Sequence, residues 1–172
     1  MDDDIAWVSP RGFSGTVGML PFPGLVILRR GERSIDSDRQ ERVLDRLAAK
    51  GVTLLVSLLD SDECEPEDVA HLRGAASDRG IAVALAPIAD FCAPATSSYW
   101  QDLAGTVLPE LDLGASVAFC CLAGAGRSGM MAARVLIAAG SEAPAAIAAV
   151  RTARPDAIES DDQVAYLLSC AP

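Results

Sequence analysis

Val117-Ala118-Phe119-Cys120-Cys121-Leu122-Ala123-Gly124-Ala125-Gly126-Arg127-Ser128-Gly129 runs from an apolar stretch through a thiol into a glycine-bearing turn. Val117 to Phe119 has the apolar character of a buried strand, and that strand ends at Cys121. Small or apolar residues follow, then Arg127, Ser128 and Gly129, and then a helical stretch, Met130 to Ala139. A cysteine thus sits at a strand's end, a loop curls after it, and an arginine opens a helix. The N–H groups of such a loop converge on one point, and the helix adds its positive end. Both favour an anion there, whether a bound ligand or a thiolate.

The rest of the chain alternates strand and helix around this segment. Thr16 to Leu20 and Gly24 to Leu28 read as one or two short strands or a hairpin. Asp36 or Ser37 can cap a helix that runs to Lys50 with Val43, Leu44 and Leu47 inward, and Gly51 stops it. Val52 to Leu58 is a buried strand. Pro66 suits the first turn of a helix that buries Val69, Leu72 and Ala76 and closes at Gly80. Ile81 to Leu85 is a strand, Pro87 to Ser98 a loop, Tyr99 to Leu111 a helix and Ser116 to Cys121 the last strand, before three helices. This alternation predicts one α/β domain over residues 1–172, a small, mostly parallel central sheet flanked by helices. The anion loop joins its last strand to a helix.

Composition narrows the function. The chain has 172 residues, enough for one domain with a real core but not for two. No apolar run reaches the roughly 20 residues of a membrane span. Met1-Asp2-Asp3-Asp4 lacks the basic start of a signal peptide and reads as a solvated tail. Five cysteines without metal-ligand spacing, and a single histidine, argue against a zinc centre or a disulfide framework and fit a reducing cytoplasm. A net charge of −10 argues against nucleic acid and anionic membranes as partners, so a phosphate site must draw its attraction from local groups. No metal or cofactor is called for, and the oligomeric state is not legible.

A C-x5-R loop followed by Ser and Gly suits one kind of chemistry. Cys121, as thiolate, is a nucleophile. Arg127 offers a planar fork of donors that matches two phosphate oxygens. The amides of Leu122, Ala123, Gly124, Ala125, Gly126 and Arg127 can bind the remaining oxygens, and Gly124 and Gly126 allow unusual dihedrals. Ser128 can donate to the sulfur and ease its departure in a second step. Gly124 to Gly129 also spells the dinucleotide fingerprint G-x-G-x-x-G. That pattern needs a second strand ending in an acid about 20 residues on, and Ala143 to Arg151 is helix-like without one. A Walker loop fails for want of a lysine.

At these residues the chain resembles the cysteine-dependent protein tyrosine and dual-specificity phosphatases. The loop after the last strand is similar to their signature. Pro87-Ile88-Ala89-Asp90-Phe91-Cys92-Ala93-Pro94 resembles the general-acid loop of the small dual-specificity enzymes, particularly the kinase-associated phosphatase group. Val150-Arg151 to Arg154-Pro155, then Ala157-Ile158-Glu159 and Gln163, resembles the segment behind the loop in that group. Gly18 to Gly24 loosely resembles its early Pro-Gly segment. The resemblance covers most of the chain. One departure is Cys120, where the family usually has the histidine thought to order the loop; a thiol is a weaker donor.

The resemblance implies roles for further residues. Asp90 would be the general acid, on a loop able to close over substrate. As residues alone, Asp90 is equally a solvated acid capping a turn, and Asp60 and Asp62 are rivals at another strand's end. Glu63 could support the loop or its arginine. Gln163 could orient the hydrolytic water, as glutamines do in related enzymes, or lie at the surface near a helix capped by Ser160. Arg154 could pack against the loop, bind substrate or form a structural ion pair, and His71 reads as structural. Cys120 reads as a buried thiol.

The resulting expectation is two-step phosphomonoester hydrolysis through a phosphocysteine, with a phosphorylated protein or peptide as substrate. Leu122, Ala123 and Ala125 carry no positive charge, which argues against polyphosphorylated inositol lipids. The other reading, from a different class, is a catalytically silent phosphoprotein-binding module, weakened by Cys120.

Overall fold

Successive side chains of a strand face opposite ways, and here they sort the apolar residues into two cores. The computed structural model describes residues 5–29 and 31–171, so Asp2 to Asp4, expected to form a solvated tail, lie outside the described residues. In chain order the elements are β1 (Ala6–Val8), β2 (Val17–Pro21), β3 (Leu25–Ile27), β4 (Arg33–Ile35), α1 (Ser37–Ala49), β5 (Val52–Ser57) and α2 (Pro66–Ser77). Then follow β6 (Ala82–Leu85), α3 (Tyr99–Asp112), β7 (Ser116–Cys121), α4 (Gly126–Ala138), α5 (Ala143–Ala153) and α6 (Asp161–Leu168). The central sheet has the order β1-β2-β7-β5-β6 and is parallel except where β1 pairs with β2. The fold is α/β, a mostly parallel sheet with helices on both faces.

The middle strand, β7, is buried along its whole length, which explains its continuous apolar reading. Val117, Phe119 and Cys121 share one core with Leu54, Val56 and the inner faces of α3, α4, α5 and α6. Ala118 and Cys120 share the other with Leu55 and the apolar residues of α1 and α2. Register aligns Pro21 with Cys121 and Ser57 with Cys120, so β2, β5 and β7 end together at one edge of the sheet. The loops that leave this edge build the site, as is usual in parallel sheets.

Local signals set most boundaries. Asp36 caps α1 by accepting from the Arg39 N–H at 2.9 Å, and Gly51 follows with a φ of 76°. Pro66 begins α2, where Leu72 and Ala76 are buried but Val69 only half so. Of the alternatives for the N-terminal region, the structure has two short strands and not the hairpin. The two apolar pieces do not pair as a hairpin: β2 lies beside β7, while β3 pairs with β4 in a separate ribbon. Neither β1 nor β4 is legible beforehand, because each has only three residues and β4 is Arg33-Ser34-Ile35. Helix α4 also begins earlier than its apolar pattern, at Gly126 rather than Met130.

Candidate active site

Cys121 ends β7 and is nearly enclosed, at 3% exposure. The neighbouring chains pin the strand end. The Cys121 carbonyl accepts from the Phe22 N–H at 2.8 Å, and the Cys120 carbonyl accepts from the Leu58 N–H at 2.8 Å. The loop then bends sharply at Gly124, whose φ is 70°. A Cβ there would lie 2.2 Å from the Leu20 carbonyl carbon, so both dihedral and space require glycine. Gly126 corrects the expectation of unusual dihedrals: it has no positive φ, and what it provides is room, since a Cβ would lie 2.2 Å from Glu159 Oε2. Ala125, at the N-cap of α4, has no side-chain oxygen for the first-turn amides. The carboxylate of Glu159 stands there instead, with Oε2 directly against Gly126.

Arg127 is 1% exposed and is gripped by the loops after β5 and β6. Nη1 donates to Glu63 Oε2 at 2.5 Å and to the Ile88 carbonyl at 2.9 Å, and Nη2 donates to Glu63 Oε1 at 2.9 Å. Glu63 itself is held by the Asp60 N–H, which donates to Oε2 at 2.7 Å. The Glu63 role at the arginine, one of two left open by the sequence, is the one the geometry has. One edge of the guanidinium is therefore spent on Glu63. Nε is buried with no acceptor among the described residues, and so is Ser128 Oγ. A buried donor without a partner is costly, and both become satisfied if an anion oxygen arrives. Burial opposes the Arg127 charge, but the Glu63 hydrogen bonds and the charges of Cys121, Glu63 and Asp90 raise its proton affinity above normal.

The loop after β6 brings Asp90 over this arginine, with Oδ1 at 3.1 Å from Arg127 Nη2 and the side chain still 43% exposed. Phe91 follows with a φ of 58°, a strained value for a residue with a Cβ. Ser160 Oγ donates to the Phe91 carbonyl at 2.6 Å, tying the Asp90 loop to the start of α6. Gln163 is fully buried there, which corrects the surface expectation. Its Oε1 accepts from the Glu159 N–H at 2.9 Å and its Nε2 donates to the Cys92 carbonyl at 3.4 Å. Ser160 does cap α6, accepting from the Gln163 N–H at 3.2 Å.

Other candidates fall outside this group or behind it. Cys120 faces the α1–α2 core and lies opposite Ser57 of β5 in register; burial pushes its thiol well up. Arg154 Nη2 donates to the Ala123 carbonyl at 3.0 Å and so backs the loop, while Nε lies 3.4 Å from Asp156. His71 Nδ1 meets Gln40 Oε1 at 2.7 Å, far from the loop in chain and function. Asp60 meets Glu63 through its backbone N–H, and Asp62 is exposed. The sequence places Glu159 only within the segment resembling the one behind the loop and gives it no role of its own. Nothing local marks it, because its neighbours Gly126 and Asp90 are distant in the chain.

Among the described residues no cluster of three or more His, Cys, Asp or Glu side chains could hold a metal ion, and no helix is long and apolar enough to cross a membrane.

Comparison with known proteins gives the same family. The model described as "Tc-R-P: Polymorphic toxin system, DSP-PTPase phosphatase" matches residues 32–141. That span includes Glu63, Asp90, Cys121 and Arg127 and stops before Glu159. No curated protein matches the chain. Among solved structures, kinase associated phosphatase with its catalytic-site cysteine changed to serine aligns at a TM-score of 0.79 and 22% identity, over 97% of this chain and 93% of that one. Tk-PTP in its active form aligns at 0.67 and 24% identity, over 95% of each chain. PTPMT1 in complex with PI(5)P aligns at 0.66 and 19% identity, over 88% of this chain and 87% of that one. At such identities the likeness is one of fold.

Proposed function

Since this chain belongs to the DSP-PTPase phosphatase family of polymorphic toxin systems, we propose that it is a cysteine-dependent phosphomonoesterase acting on phosphorylated protein side chains. The observation that carries the reading is Arg127. It is a buried guanidinium with Nε unpartnered, held by Glu63, reached by Asp90 and seated one turn beyond a strand-end cysteine. In the proposed reaction the Cys121 thiolate attacks phosphorus, and the ester P–O bond breaks as Asp90 gives its proton to the leaving oxygen. The loop amides and Arg127 Nε stabilise the equatorial oxygens. Asp90, now ionised, takes a proton from water as the water cleaves the P–S bond. Ser128 Oγ, buried without an acceptor, is free to donate to the departing sulfur.

A protein substrate fits the surroundings. Leu122, Ala123 and Ala125 bring no cation to the loop, unlike a site built for several phosphates. Beside the Asp90 loop runs a groove lined by Ile88, Cys92 and Tyr166 and edged by Asp60 and Asp162, which suits an extended peptide with basic residues. The alternative is a module that binds phosphoprotein without turnover. Cys120 favours it, because its side chain lies in the α1–α2 core and supplies the loop no histidine donor.

Release of p-nitrophenol from p-nitrophenyl phosphate tests the proposal. The expected result is vanadate-sensitive turnover, abolished in Cys121→Ser and lowered about 10²–10⁴-fold in Asp90→Asn. No release at any pH between about 5 and 8, together with retained phosphopeptide binding, would establish the module instead.

A further inference from the structure

Glu159 belongs neither to the Asp90 loop nor to the loop after Cys121, yet its carboxylate stands between them. A Cβ on Gly126 would come within 2.2 Å of Glu159 Oε2, so the carboxylate lies directly against the first residue of α4. The Gly126 N–H favours the charged form of this carboxylate. That amide is at the positive end of the helix, where an oxygen of a bound anion would be received. Glu159 therefore sets a carboxylate, from within the chain, against the helix end that the ligand needs.

The backbone around Glu159 is tightly held. Ile158 has a φ of 59°, unusual for a β-branched residue and sustained only by its packing. Ala157 presses on α4 so closely that a Cβ on Gly129 would lie 2.7 Å from it. The Glu159 N–H is fixed by Gln163. The side chain is less constrained, since the residue is exposed overall and only its carboxyl end reaches inward. Burial of that end is the largest influence on its proton affinity, which is raised. Asp90, from the β6–α3 loop, and Asp156, beside it, raise it further, while the Gly126 N–H and Arg127 lower it. Glu63 faces the same arginine from beyond β5.

An arriving dianion changes this balance. Like charges confined to one site force a proton onto one of them. Glu159, already raised and beside solvent, is the group placed to accept it. Resting on the reading of the Cys121 loop as a phosphate site, we propose that Glu159 competes with the phosphate for the Gly126 amide and takes up a proton from solvent as the dianion is seated. Glu159 thereby sets which ligand charge state the loop accepts, and binding weakens as pH rises.

Titration calorimetry with tungstate tests this, because tungstate remains a dianion near neutral pH and needs no turnover. The Cys121→Ser protein serves as background, so that the sulfur contributes no proton. Buffers of different ionisation enthalpy count the protons exchanged. The expected result is uptake of about one proton, lost in Cys121→Ser/Glu159→Gln and kept in Cys121→Ser/Asp90→Asn. At about pH 7.5 the Glu159→Gln change should tighten tungstate binding about tenfold or more, with the difference vanishing in mild acid. Glu159→Ala should do the same if the glutamine variant folds poorly. Unchanged affinity and uptake without the Glu159 carboxylate, or loss of uptake in Asp90→Asn, would overturn the role of Glu159 alone. Failure of every variant to bind tungstate would overturn the phosphate site itself.

Discussion

Glu63 and Arg127 share a two-point ion pair that is almost closed to water, with side-chain exposures of 8% and 1%. A charge so enclosed tolerates loss of its partner badly, and removing one member of a buried pair costs about 3–5 kcal/mol. Glu63→Ala should therefore lower unfolding stability by about 3 kcal/mol, read from urea midpoints. It should also weaken tungstate binding, because the guanidinium loses the carboxylate that holds both its Nη atoms. A midpoint within experimental error of the parent would show that Arg127 finds another acceptor. Asp90 is held quite differently. It touches the same guanidinium but stays 43% exposed, which leaves it room for the movement that the proposed general-acid role requires.

The turn between β7 and α4 concentrates the conformational demands of the site in a few residues. Gly124 combines a left-handed φ of 70° with a backbone approach that leaves no room for a methyl group. Gly124→Ala should cost at least about 2 kcal/mol through strain and overlap with the end of β2. Tungstate binding should fall with it, since the loop amides would no longer converge. A variant as stable and as avid as the parent would mean that the turn relaxes without loss. The loop before α6 is the counterpart of this turn. Ser160 and Gln163 tie it to Phe91 and Cys92, so the two carboxylate-bearing loops are braced against each other.

The sheet separates the chemistry from much of the stability. The core under α3 to α6 carries Cys121, whereas the core under α1 and α2 carries Cys120. Leu72, fully buried on α2, belongs to the second core. Leu72→Ala should destabilise the fold by about 2–5 kcal/mol by leaving a cavity. Activity per folded molecule should stay unchanged, as measured by p-nitrophenyl phosphate turnover well below the melting temperature. A fall in kcat at full folding would show that the two cores are coupled through β7.

Much of this was written in short-range patterns. The apolar runs of β5 and β7, the cap at Asp36, the stops at Gly51 and Gly80 and the strand–loop–helix around Cys121 each involve residues a few positions apart, and such neighbours meet however the chain folds. The α/β class and the Cys121–Arg127 loop follow from them. The three-residue strands β1 and β4 carry no periodicity, and only pairing with β2 and β3 defines them. The convergence of Glu63, Asp90 and Glu159 on one guanidinium and one helix end likewise required the folded chain. Those carboxylates come from three separate loops, and their approach depends on how the sheet is ordered and how α4 packs against the segment before α6. Side chains that look solvated in sequence, Gln163 and Glu159 among them, acquire their roles only from that packing, because burial and charge proximity are properties of distance in space.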